Sequence, residues 1–118
     1  MFSLLTLVLI LESDFVDHFC NGEKEFVLQD RTRVDCLTKY HAVEYDWAKN
    51  WYQGIGQSLH YAMHTGRRGG LVLIIRNEKD MRYIDRAYRA IQHYNLPITL
   101  WTVKENSNEI IEYKIAEK

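Results

Sequence analysis

Residues 32–46, TRVDCLTKYHAVEYD, hold two short β-favouring runs, Thr32 to Leu37 and Tyr40 to Asp46, separated by the polar pair Thr38-Lys39. Such spacing reads as two antiparallel strands joined by a tight connection. A third run, Glu25 to Gln29 (EFVLQ), precedes them across Asp30-Arg31, so the three form an antiparallel meander. Asp35 falls in the second strand, and Glu44 and Asp46 fall in the third, two apart and hence on one face. The fold and the chemistry are both read from this segment.

Working outward, Phe15, Val16 and Phe19 give Asp14 to Cys20 a short helical face that Asn21-Gly22 ends. On the other side, Trp51, Ile55, Leu59 and Ala62 recur at helical spacing and predict a helix over 47–64, stopped by Thr65-Gly66. The loop GRRGG (66–70) then leads into LVLII (71–75), a continuous apolar run expected of a strand covered on both faces. Residues 78–94 carry Met81, Ile84, Ala87, Tyr88 and Ile91 on one helical face, and ITLWTV (98–103) follows as a strand. Residues 71–103 thus predict a β-α-β unit with parallel strands, and the tail 109–115 an edge strand or a frayed end. The expected class is α/β, with the order α-β-β-β-α-β-α-β and a mixed sheet flanked by helices.

At 118 residues, 47% hydrophobic, 26% charged and with a single Pro, the chain has the composition of one packed domain and excludes a disordered one. Fifteen Lys and Arg against sixteen Asp and Glu leave a net charge of -1, so no whole-molecule field holds it on nucleic acid or membrane. The halves differ: residues 1–65 hold five basic and nine acidic groups, and residues 66–118 ten and seven. Phe2 to Leu11 is apolar but too short to cross a bilayer, and Glu12-Ser13-Asp14 stands where a leader cleavage site would be. Residues 1–13 therefore read either as a shortened leader or as a buried first element, with 14–118 as a single domain, cytoplasmic or exported. Cys20 and Cys36 lack CxxC spacing, which leaves two buried thiols or one disulfide, the latter closing a loop of about 15 residues.

Carboxylates inside a strand reading Ala-Val-Glu-Tyr-Asp are costly to bury unless a cation or hydrogen bonds balance them. Without a Cys or His cluster beside them, the matching cation is hard, Mg²⁺ or Mn²⁺. A solvent-facing strand edge is the other reading of the same spacing. His60 and His64, four apart on a helix, lack the neighbouring Glu and third ligand of a zinc motif and read as polar surface. Arg82, Arg86, Arg89 and His93 share a helix face with Glu78 and Asp85 at four-residue offsets, as on a solvated face.

Val34-Asp35-Cys36, Val43-Glu44-Tyr45-Asp46 and Gln57-Ser58-Leu59-His60-Tyr61 together resemble the PD-(D/E)XK nuclease superfamily, and in particular its RecB-like QxxxY variant. The sequence is also similar to a small family of bacterial proteins built around RVDCLT, HAxEYDxA and IGQSLxYA. The superfamily resemblance covers about residues 14–103 and implies a restriction endonuclease-like core that hydrolyses DNA or RNA phosphodiesters with Mg²⁺ or Mn²⁺. It implies Asp35, Glu44 and the main-chain carbonyl of Tyr45 as metal ligands. Glu25 is the preferred first acid, with Glu23 and Asp17 behind it. Position 46 is Asp where the superfamily has Lys, and Lys49 is the expected substitute, as in members that supply the cation from the next helix. Gln53, Gln57 and Tyr61, with Arg67 and Arg68 of the Gly-rich loop, would contact substrate. Family habit allows a homodimer, and a catalytically silent nucleic-acid-binding or protein-interaction module of the same fold is the alternative.

Overall fold

The computed structural model describes residues 11–116, so the apolar run 2–11 lies, save for Leu11, outside the described residues. In chain order the elements are α1 (Glu12–Phe19), β1 (Glu23–Val27), β2 (Arg33–Leu37), β3 (His41–Trp47), α2 (Trp51–Thr65), β4 (Arg68–Ile75), α3 (Met81–His93), β5 (Ile98–Lys104) and β6 (Ile110–Tyr113). Short 3₁₀ turns, Ala48–Asn50 and Glu78–Asp80, lead into α2 and α3. The strands form one six-stranded sheet in the order β1-β2-β3-β4-β5-β6. Pairing is antiparallel at β1–β2, β2–β3 and β5–β6, and parallel at β3–β4 and β4–β5. The class is α/β with a mixed sheet, and the tail forms the edge strand β6.

Alternation along β4 divides the core. Leu71, Leu73 and Ile75 face α2 and α3, where they pack with Trp51, Ile84, Ala87 and Ile91. Val72 and Ile74 face the other way and meet Phe15 and Val16 of α1, with Cys36, Val43 and Tyr45. The β1–β2 hairpin adds Leu28, Val34 and Leu37 around Ala42 and Tyr61. Burial of β4 on both faces explains its unbroken apolar run.

Several boundaries differ from the sequence expectation: β1 is Glu23–Val27 rather than Glu25 to Gln29, α3 begins at Met81 after a 3₁₀ turn rather than at 78, and two more differ for reasons the packing shows. Trp47 ends β3 rather than opening a helix, because Glu12 Oε2 accepts its N–H at 3.1 Å and its ring packs edge-on to Phe15 with the Arg76 guanidinium over it. The glycines of GRRGG are not all loop: Gly69 and Gly70 lie within β4. A Cβ on Gly70 would stand 2.8 Å from the Trp101 ring and 3.0 Å from Val43, so this strand position requires glycine to let its neighbours close.

Cys20, just after α1, is bonded to Cys36 of β2, which decides between the two cysteine readings. The bridge spans 16 residues and fastens α1 to the strand that carries Asp35. Replacing both cysteines (Cys20→Ser with Cys36→Ala) should cost about 3 kcal/mol of stability by the loop-closure argument. Urea titration of the variant against the oxidised protein checks this.

Candidate acidic metal centre

The site arises where β2 leaves β3. Their pairing holds at Leu37 with Ala42 and at Cys36 with Val43, and goes no further. Continued in register, it would set Val34 opposite Tyr45 and Thr32, just before β2, opposite Trp47, with both β3 N–H groups facing backbone acceptors there. Instead Asp35 Oδ2 accepts the Tyr45 N–H at 2.9 Å and Glu12 Oε2 accepts that of Trp47. Two carboxylates thus take over the ladder bonds that the diverging strand abandons, and each is fixed by doing so.

The opening is a cleft of about 440 Å³ into which Glu12, Glu25, Asp35, Glu44 and Asp46 all project. Gln53, Gln57 and Tyr61 line the α2 side, and Arg33 is the one cation among the described residues that line it. Glu44 and Asp46 are each only 5% exposed, and Asp46 Oδ2 is buried without a hydrogen-bond donor. Gly54 lets α2 lie against this carboxylate: a Cβ there would fall 3.0 Å from Asp46 Oδ2 and 2.6 Å from Leu71. Glu25 lines the cleft from a left-handed backbone (φ 53), at the position between Lys24 and Phe26 that is left unpaired while the β1–β2 register continues unchanged on both sides.

Such crowding decides the protonation. Burial, and then the Asp35 and Asp46 charges, push the Glu44 carboxyl up to about 11. Burial and the neighbouring Glu12 lift Asp46 to about 8. Burial also raises Asp35, against the Tyr45 N–H that favours its anion. The Tyr61 phenol, raised to about 12 by burial and by Glu44 and Asp35, remains a proton donor. A divalent cation would relieve this accumulation of negative charge. The all-oxygen donor set and the orphaned Asp46 oxygen fit Mg²⁺ or Mn²⁺ rather than a softer metal.

Comparison with family models, with curated proteins and with solved structures found no match. The site therefore rests on its own geometry.

That geometry brings together Glu25, Asp35, Glu44, Asp46, Gln53, Gln57 and Tyr61. Tyr45 is not part of the cleft lining: its N–H is bonded to Asp35 Oδ2 at the edge β2 vacates, and its ring packs on the opposite face. Three further expected residues are elsewhere. Lys49, expected in the helix after β3, lies exposed in the 3₁₀ turn before α2 and not in a first α-helical turn, so it does not continue the face of Gln53, Gln57 and Tyr61. Arg67 donates to the Thr38 carbonyl, and Arg68 donates to Thr99 Oγ1 at 2.9 Å and to the Ile98 carbonyl at 3.2 Å. Both arginines sit at the end of β4 that pairs with His41, away from Asp46. Of the other first-acid candidates, Asp17 pairs with Lys24 and Glu23 is exposed outside the cleft lining. Sequence reasoning missed Glu12, which stands at the end of the apolar run where a leader cleavage site would be, and offers Arg33 only as an ion-pair partner for Asp46.

An acid that holds its proton more tightly in the folded chain than in the unfolded one loses stability as pH rises between the two values. For Asp46 that window runs from 3.8 to about 8, and for Glu44 from 4.5 to about 11. In chelator, stability should be greatest near pH 4 and fall toward pH 8, with a slope of up to about 1.4 kcal/mol per pH unit for each of the two groups. Glu44→Gln should flatten the decline and raise the metal-free melting temperature at pH 8. Melting curves across that range check both.

Proposed function

We propose that the protein is a Mg²⁺- or Mn²⁺-dependent phosphodiester hydrolase acting on DNA or RNA, of the PD-(D/E)XK type. The observation that carries this reading is the convergence of five carboxylates, one with a buried donorless oxygen, on a single cleft beside the amide and phenol row of α2. A divalent ion bound there would lower the pKa of a water and polarise the phosphate. Asp35, anchored through Oδ2 to the Tyr45 N–H and hydrogen-bonded to Glu44, would form one wall of the ion's site, with Glu44 and Asp46 opposite. The Gln53 and Gln57 amides and the Tyr61 hydroxyl offer hydrogen bonds to the phosphate backbone. In the absence of a lysine, Arg33 is the group placed to offset charge on the phosphoryl oxygens.

A second reading has specific support, since Asp46 occupies the superfamily's lysine position and Lys49 lies outside the cleft. In that reading the centre binds metal without cleaving, and the domain serves as a nucleic-acid-binding or protein-interaction module. Calorimetric titration with Mn²⁺, then incubation with plasmid, single-stranded DNA and RNA with and without chelator, separates the two. Hydrolysis requires that cleavage need the metal and that Asp35→Asn and Glu44→Gln each reduce it by more than about 100-fold, beyond the loss usual for residues that only support a ligand. Lys49→Ala should stay within about twofold of the parent, as befits an exposed side chain. Cleavage by Glu44→Gln at the parental rate would remove the mechanism, and metal binding without cleavage would establish the silent module.

A further inference from the structure

Farther along the α2 face that carries Gln53 and Gln57, toward the helix C-terminus, His60 and His64 meet Asp30 from the β1–β2 turn. His60 Nε2 lies 2.8 Å from Asp30 Oδ2, and His64 Nε2 lies 3.6 Å from the same oxygen. One donor atom from each of the three residues falls within 4.8 Å of the others. The carboxylate is held in place from behind: Asp30 Oδ1 accepts the Thr32 N–H at 3.1 Å and the Thr32 hydroxyl at 2.6 Å, leaving Oδ2 for the imidazoles. The turn that presents it closes with the Arg31 N–H on the Leu28 carbonyl and with Arg31 in the left-handed region (φ 73). Both histidines come from successive turns of one helix, so their spacing is set by the helix itself.

We propose that Asp30, His60 and His64 form a second metal site, selective for a zinc-class transition ion and independent of the acidic cleft. Two imidazoles and a carboxylate suit Zn²⁺ or its spectroscopic substitute Co²⁺, and not the Mg²⁺ that an all-oxygen cage prefers. A tetrahedral ion with bonds of about 2.0–2.1 Å needs donors about 3.3 Å apart. The observed 2.8 and 3.6 Å lie on either side of that value. Thr32 is the positioning residue, in the manner of the outer-shell groups that orient metal-binding carboxylates. Each ligand side chain keeps about a third of its surface exposed, so the remaining position opens to water. The ion would fasten the β1–β2 turn to α2, and these two elements carry Arg33 and Asp35 on one side of the acidic cleft and Gln57 and Tyr61 on the other.

The test uses the full chain, stripped with chelator and titrated with Zn²⁺ and with Co²⁺, beside His60→Ala with His64→Ala, Asp30→Asn and Glu44→Gln. The expected result is a stoichiometric Zn²⁺ site whose Co²⁺ form shows the intense visible absorption of four-coordinate cobalt. The double histidine variant should weaken binding at least about 100-fold and lose that absorption, while Glu44→Gln retains both. Asp30→Asn, which keeps the turn's acceptor for Thr32, provides the same readout with the helix unaltered. Zn²⁺ affinity and cobalt spectrum unchanged in either the histidine or the aspartate variant would overturn the site. So would stoichiometric binding lost only in Glu44→Gln, which would place the ion in the acidic cleft, or an absence of Zn²⁺ binding to the parent, which would leave an ion-paired histidine cluster.

Discussion

The parting of β2 from β3 is the constraint on which the rest of the site depends. A strand that leaves its neighbour strands the neighbour's N–H groups, and buried amides without acceptors are costly. Here the acceptors are Asp35 and Glu12, so backbone satisfaction and cleft assembly are one event. The same divergence admits Glu44 and Asp46 to a shared space. On the paired part of β3 the same face carries the buried, apolar Ala42 instead.

The elements farthest apart in sequence are brought to this gap by separate means. The disulfide and the Phe15 and Val16 contacts hold α1 against the sheet, which places Glu12 beside Trp47. Gly54 allows α2 to approach Asp46 and Leu71 more closely than any other residue would permit. Parallel pairing of β3 with β4 keeps Glu44 beside Leu71 and Asp46 beside Leu73, so that each acid is backed by a fully buried aliphatic neighbour. Burial against that apolar backing is the first cause of the raised carboxyl pKa values, and the neighbouring acids add to it.

Much of this was legible in the chain. The three-strand run, the apolar stretch 71–75 and the amphipathic 81–93 carry their own periodicity, and the period-two placement of Glu44 and Asp46 put both acids on one face. The start of α2 was not legible, because the Trp51, Ile55, Leu59 pattern extrapolates back smoothly through residues that a 3₁₀ turn occupies, and Lys49 was misplaced with it. Arg67 and Arg68 looked free only because their acceptors, the carbonyls of Thr38 and Ile98, are about 30 residues away in sequence. Glu12 and Asp30 are functional candidates by tertiary approach alone. Neither has a local motif: the one lies against a strand end 35 residues on, and the other against a helix 30 residues on.

Glu25 shows fold and cleft making opposite demands on one residue. A left-handed conformation costs a side-chain-bearing residue about 1–2 kcal/mol, and glycine would adopt it freely. The chain nevertheless keeps a carboxylate there, at the unpaired middle position of an edge strand. Glu23, Lys24 and Glu25 make that edge charged, a poor template for another chain's strand, so the residue that serves the cleft also helps guard this side of the sheet against edge-to-edge association.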